Sequence, residues 1–253
     1  MKPSATQDTR LSLRGVAKTW ESADRKFTVR VPDLHLSAGE VALLRGESGT
    51  GKSTLLEMLG LVSAPDTMEV FRLYGPDGAA DIATLYRAGD AGALAALRGR
   101  TIGFVVQTGA LIPFLTVAQN VTLPSRIGGQ PEPPIGWLLA ALDLEKLSGA
   151  YPSALSIGQR QRTAIARALA GRPSIVLADE PTAALDPDNK GRVVSLLLSL
   201  AAEIRATVLI ATHEAKLVQT SGLRRLRLQM EADGRADGHA VSSLGEEAGP
   251  CVA

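Results

Sequence analysis

Residues 46–54 read Gly-Glu-Ser-Gly-Thr-Gly-Lys-Ser-Thr, the pattern G-x-x-x-x-G-K-[ST], set between an apolar strand candidate, Val41–Leu44, and a helix candidate, Ser53–Leu59. No other feature of the chain constrains its fold as tightly. Glycines let the backbone curl around phosphate oxygens, so that successive N–H groups and the helix N-terminus face the anion. Lys52 can reach β- and γ-phosphates, and the Ser53 hydroxyl can hold Mg²⁺. Gly46, Ser48, Gly49, Thr50, Gly51, Lys52, Ser53 and Thr54 are therefore expected to cradle a nucleoside triphosphate. A glycine-rich turn with a solvated lysine would need neither the strand nor the helix.

The rest of the chain repeats the strand-then-helix rhythm. Buried strands are expected at Val41–Leu44, Ile102–Val106, Ile175–Ala178 and Val208–Ala211, and a helix at Gly158–Ala170 that Gly171 and Pro173 would stop. This predicts an α/β fold with a mainly parallel core sheet covered by helices on both faces. Leu11–Val31, where Phe27, Val29 and Val31 alternate, reads as a flanking antiparallel β-subdomain. A Pro-rich stretch, Ala110–Ala154, with one helix around Trp137–Leu147, reads as a helical subdomain inserted at about 110–165. At 253 residues and 45% apolar content, one large domain over residues 1–230 is expected. Residues 231–253 hold five acids, one arginine and four glycines, the composition of a disordered tail.

Composition narrows the function. A net charge of +1 and 4% aromatic content argue against a general nucleic-acid binder, which needs a basic surface and stacking rings. Cys251 is the single cysteine, which leaves no internal disulfide and no Cys-based zinc site. Met1–Arg10 has no apolar core of the secretory kind, and the uncharged stretch Thr101–Ser125 is interrupted by Gln107, Gln119, Asn120, Pro113 and Pro124, so a soluble protein is expected.

A second acidic feature ends the strand Ile175–Ala178. Asp179 and Glu180 follow it, and a strand buried on both faces has little cause to finish in paired carboxylates unless they meet a cation or a water. Asp179 is expected beside Mg²⁺, and Glu180 as the base that activates the attacking water. The alternative, a strand end reaching solvent, weakens when a phosphate loop lies upstream.

The stretch Leu155-Ser156-Ile157-Gly158-Gln159, opening a helix 23 residues before Asp179, resembles the L-S-G-G-Q signature of the ABC ATPases. That resemblance covers about Leu11–Met230. It implies a P-loop NTPase that hydrolyses ATP with Mg²⁺. It further implies roles for Gln107 as the Q-loop glutamine near Mg²⁺ and water, Asp186 in the D-loop Ala184-Leu185-Asp186, His213 as the switch histidine at the γ-phosphate, and Trp20 as the ring that stacks on adenine. Taken alone, Gln107 could be a strand-end amide, His213 a core histidine, and Trp20 half-buried packing.

Ser156, Gly158 and Gln159 cannot easily reach phosphates held by Lys52 of the same chain if the fold is the family's. The resemblance therefore implies a head-to-tail dimer, of two identical subunits or with a paralogue, in which each subunit completes its neighbour's site. Ile157 stands where the family has its first signature glycine; a β-branched residue there forbids positive φ and adds bulk. Ala183 replaces the D-loop serine of many relatives. Arginines 160, 162 and 167 share no single helical face, and Arg224, Arg225 and Arg227 are interleaved with leucines, so most of them are expected on solvated surface, as is His35.

The resemblance also implies a separate membrane permease and a place at the cytoplasmic face of the inner membrane. The segment Gly109–Pro124 is similar to the lipoprotein-release, macrolide-efflux and cell-division branch, implying export or mechanotransmission. Leu111, Ile112, Phe114 and Leu115 are either the patch that meets the permease or core of the helical subdomain. A regulatory ATPase acting on a cell-wall activity through its permease, moving no substrate, is the alternative. A GTPase is disfavoured, because Asn189-Lys190-Gly191-Arg192 lacks the aspartate of N-K-x-D. Residues 68–96 receive no role.

Overall fold

The computed structural model describes residues 9–22, 25–75, 78–107, 109–127, 133–183, 185, 187–213, 223–231 and 239–247. Ten strands are β1 (Thr9–Ser22), β2 (Arg25–Ser37), β3 (Val41–Arg45), β4 (Val70–Gly75), β5 (Gly78–Asp81), β6 (Ile102–Val105), β7 (Ile175–Asp179), β8 (Thr207–Ala211), β9 (Arg224–Met230) and β10 (His239–Glu246). Among the described residues, seven α-helices are α1 (Lys52–Leu59), α2 (Ile82–Ala88), α3 (Ala91–Thr101), α4 (Val117–Ile127), α5 (Gly136–Ala141), α6 (Ile157–Ala170) and α7 (Pro187–Glu203).

All ten described strands form one sheet in the order β5-β4-β1-β2-β10-β9-β3-β8-β7-β6. From β9 to β6 the pairs are parallel, and β5, β4, β1 and β2 pair antiparallel, as the two expected sheet regions require. The parallel strands are apolar throughout because both faces are covered. Along β7, Ile175 and Leu177 join a core with Leu55, Leu56 and Met58 of α1, while Val176 and Ala178 join a second core with Ile165 and Leu169 of α6 and Leu197 of α7.

Two local expectations are corrected, and two stretches gain a structure. The tail is not wholly unstructured: β10 lies between β9 and β2, antiparallel to the first and parallel to the second. Its Leu244 and Ser242 are buried, and Glu246 and Glu247 pair with Arg224 and Arg45. Average composition over 23 residues concealed this short alternating segment, and two of the acids that suggested disorder, Glu246 and Glu247, neutralise arginines of the core sheet. The helix expected around Trp137–Leu147 is two pieces, α5 and a 3-10 turn at Glu145–Leu147, because Asp143 takes φ +54° between them. Helix α4 runs through Pro124. Residues 68–96 contain β4, β5, α2 and the first half of α3, with Asp81 and Asp90 capping the two helices through the Thr84 and Ala93 N–H groups.

The arginines are also less solvated than expected. Arg160 donates to the Leu155 carbonyl, Arg162 to the Leu142 carbonyl and Asp143, and Arg167 to the carbonyls of Gly109 and Ala110. Arg224 reaches Glu40, Glu246 and the His35 carbonyl, while the His35 side chain is exposed as expected. Helical-face counting places α-carbons and says nothing of a long side chain that turns back to a carbonyl. Among the described residues no helix is long and apolar enough to cross a membrane.

Candidate functional site

The phosphate loop leaves the end of β3 and enters α1. Gly51 is the helix N-cap at φ +92°, and a Cβ there would stand 2.4 Å from Val29 Cγ2, so glycine alone fits. No side chain caps α1, which leaves its first N–H groups available to an anion. The Lys52 ammonium donates to the carbonyls of Gly46 and Glu47 at 2.9 Å each, lying across the loop. Thr50 points inward, its hydroxyl donating to the Glu47 carbonyl. Thr50 thus shapes the loop, while Ser48, Gly49, Gly51, Lys52, Ser53 and Thr54 line the cavity in front of it.

That cavity, about 600 Å³, is completed by Phe27, Gln107, Asp179, Glu180, Ala183 and His213. Parallel strand order explains the convergence: β3, β8, β7 and β6 are neighbours, and each delivers its functional residue at its C-terminal end. Asp179 ends β7 opposite Ala211, and the Glu180 N–H donates to the Ala211 carbonyl at 2.9 Å. Glu180 turns out of the strand with φ +45°, a conformation that costs a non-glycine residue about 1–2 kcal/mol. Both its carboxylate oxygens lie 3.0 Å from His213 Nδ1, and its side chain is only 14% exposed against 62% for His213. A mostly buried carboxylate oriented by an imidazole suits a proton acceptor.

The donors fit a small hard cation. Ser53 hydroxyl, Gln107 amide and Asp179 carboxylate supply oxygens around one space. Among the described residues no cluster of three or more His, Cys, Asp or Glu could hold a metal ion.

Several expected nucleotide contacts are elsewhere. Ser156, Gly158 and Gln159 do not line the cavity. Ser156 caps α6: its Oγ accepts the Gln159 N–H, and the Gln159 side-chain carbonyl accepts the Ser156 N–H. Gln159 is thereby committed to the cap, whereas the Ser156 hydroxyl proton finds no acceptor among the described residues and can donate. Ile157 is the first helical residue and is not among the positive-φ residues, so the anticipated conflict with backbone geometry is absent; its half-exposed side chain remains as bulk. Trp20 is 49% exposed, carries Lys18 over one face with the ammonium 5.2 Å from the ring centroid, and also lies off the cavity wall. Its cross-strand partner is Phe27, which does line it. Asp186, with Ala184 and Glu214, lies outside the described residues.

Sequence reasoning missed Phe27, Asn120 and Arg167. Phe27 looked like any inward strand residue. Asn120 is fully buried and holds the loop before α4: its Oδ1 accepts the Ile112 N–H, and its two side-chain N–H groups are shared among the carbonyls of Ile112, Leu115 and Thr116. Phe114, on that loop, is 75% exposed, whereas Leu111 packs on the core. Beside the loop runs an apolar groove of about 810 Å³ between α3, β6, α4 and α6, with Val62, Ala95, Phe104, Leu123 and Ile127 on its walls. Asp179 borders this groove as well as the nucleotide-sized cavity.

Comparison with known proteins agrees with this geometry. Residues 29–183 match the family model described as ABC transporter. The chain is 38% identical over 212 residues to a lipoprotein-releasing system ATP-binding protein of Rhodopirellula baltica, covering 82% of this chain and 89% of that one. It is 38% identical over 213 residues to a macrolide export ATP-binding/permease protein of Aeromonas hydrophila, covering 82% of this chain but 31% of that longer protein. It is 38% identical over 216 residues to a methionine import ATP-binding protein of Streptomyces griseus, covering 83% and 59% respectively. The dimeric, post-hydrolysis structure of the ATP-binding cassette MJ0796 with ADP and phosphate superposes with a TM-score of 0.73 at 30% identity, covering 94% of this chain and 99% of that one. This chain belongs to the ABC transporter family, as an ATP-binding cassette that hydrolyses ATP.

Proposed function

We propose that two copies of this chain close head to tail over two ATP molecules and drive a separate membrane permease of the export or mechanotransmission type. The observation that carries this reading is a division of labour. Lys52, Ser53, Gln107, Asp179, Glu180 and His213 share one cavity, while Ser156 offers a free hydroxyl proton at a helix N-terminus away from it. A second subunit supplies what each cavity lacks.

In the closed state Lys52 and the loop N–H groups bind the β- and γ-phosphates, with Trp20 and Phe27 at the adenosine end. Mg²⁺, held by Ser53, Gln107 and Asp179, would neutralise charge on the β- and γ-phosphate oxygens. Glu180 accepts a proton from water as that water attacks the γ-phosphorus, and the bond to the β–γ bridging oxygen breaks, leaving ADP and phosphate. His213 holds the Glu180 carboxylate and faces the γ-phosphate. Ser156 and the Gly158 N–H of the other subunit close the γ-phosphate side, and Asp186 stands at the seam.

The energetics suffice. Shifting an open-closed equilibrium from 1:99 to 99:1 takes about 5.5 kcal/mol, shared by two sites. Charge-assisted hydrogen bonds contribute about 1.5–3 kcal/mol each, so one or two contacts per site are enough. Loss of the γ-phosphate removes them and the dimer reopens.

The apolar groove, with Phe114 at its rim loop, is the surface we assign to the permease; through that partner the chain would work at the cytoplasmic face of the inner membrane. Val106 borders the groove and Gln107 the cavity, so adjacent residues touch both sites. Disulfide trapping tests the arrangement: with Cys251→Ser, Glu180→Gln, Ser48→Cys and Ser156→Cys combined, ATP and Mg²⁺ should produce a covalent dimer on oxidation. Exclusively monomeric or intrachain products would refute the head-to-tail sandwich.

A further inference from the structure

We propose that Arg167 is a positioning residue that locks the Gln107 turn onto α6, so that the placement of the signature helix sets where the Gln107 amide stands. This rests on the nucleotide reading of Gln107 given above. Arg167 lies ten residues after Ile157, about 15 Å along α6. Its Nη1 donates to the Ala110 carbonyl at 2.7 Å and its Nη2 to the Gly109 carbonyl at 2.8 Å. Those carbonyls follow Gln107 by two and three residues.

The turn needs an external hold. The Gly109 N–H donates to the Val106 carbonyl at 3.0 Å, closing a tight reversal around Gln107. Gly109 sits at φ +72° and Ala110 at φ +41°, the second a left-handed conformation that an alanine adopts at a cost. A Cβ on Gly109 would come within 3.6 Å of the Arg160 carbonyl and Gln161 Oε1, and 3.7 Å of Ala164 Cβ, so the reversal lies flat on α6. A planar guanidinium spans two neighbouring carbonyls with parallel N–H groups, which a lysine ammonium cannot reproduce. Burial pulls the Arg167 pKa down from the ordinary arginine value, a desolvation tolerated on the signature helix.

Geometry then gives the linkage. One end of α6 carries Ser156, and its other end grips the backbone just after Gln107. Farther along, Asn120 ties the same loop to α4, which packs on α6. Arg167 and Ala110 both line the apolar groove, so a partner in that groove presses on the lock itself. Displacement of α6 therefore carries the Gln107 turn with it.

Arg167→Met and Arg167→Lys in the full chain test this, using steady-state ATPase assays, titration with a fluorescent ATP analogue, thermal melting, and hydrogen exchange at Gly109 and Ala110. Expected for Arg167→Met is a kcat about tenfold lower, with KM and nucleotide Kd within about threefold, and faster exchange at the two amides with the rest of the protection pattern retained. Arg167→Lys should restore less than half of the lost kcat. Native kcat and unchanged exchange in a folded Arg167→Met protein would overturn the proposal. A fall in kcat matched by rising KM and a lowered melting point would also overturn it, by making the arginine merely structural. Absence of ATPase in the wild-type chain would overturn the catalytic reading instead, and the exchange comparison separates that failure from failure of the lock.

Discussion

Replacing Glu180 by glutamine removes one property, basicity, and leaves the local geometry in place. The backbone at φ +45° is held by the Glu180 N–H to the Ala211 carbonyl and by the Ala183 N–H to the Glu180 carbonyl at 3.1 Å, neither of which involves the side chain. The glutamine carbonyl can still accept from His213 Nδ1, where the carboxylate has two oxygens at 3.0 Å. A positioned general base contributes about 10²–10⁴ in rate, or roughly 2.7–5.4 kcal/mol at 1.36 kcal/mol per tenfold. Phosphate release under saturating ATP should therefore fall by at least about 100-fold, with the Kd for ATP little changed. Because ATP persists, size-exclusion chromatography with ATP and Mg²⁺ should show a stable dimer that wild-type protein forms only transiently. A variant retaining more than about a tenth of the wild-type kcat would refute the assignment of Glu180 as base. Monomers at full nucleotide occupancy would refute the sandwich while leaving the chemistry untouched.

Two further outcomes concern stability. Asn120→Ala strips the buried amide's hydrogen bonds from the loop that presents Phe114 and should cost about 2–4 kcal/mol, read as a lower urea midpoint at unchanged slope. A midpoint within error of wild type would mean that water replaces the amide. Truncation after Met230 removes β10, unpairing one edge each of β2 and β9 and exposing the apolar surface around Leu244, and should cost at least about 3 kcal/mol. An unchanged melting curve would show that the sheet halves hold without it.

Residues that act through their own local chain were legible beforehand. The glycine loop, the lysine beside it and the acids ending an apolar strand announce themselves because backbone curvature, charge and hydrophobic periodicity are local properties. Gln107 and His213 were legible only through their order relative to those motifs, since a lone amide or imidazole at a strand end carries no distinguishing pattern. Arg167 illustrates the limit. Its partners, Gly109 and Ala110, are 58 and 57 residues away, and no periodicity on α6 marks which arginine turns inward.

By itself, then, the amino-acid order determined that a phosphate cradle, a strand ending in two acids and a capped signature helix would form, because each depends on neighbours within a few residues. Tertiary structure decided what those parts meet. It brought Phe27 from the antiparallel flank to the cavity wall and put Arg167 on the Gln107 turn. It also made β10 the seam between the antiparallel and parallel regions, although its composition predicted no order. Strand pairing and carbonyl capture are satisfied by partners distant in the chain, and the free energy that selects them belongs to the assembled sheet.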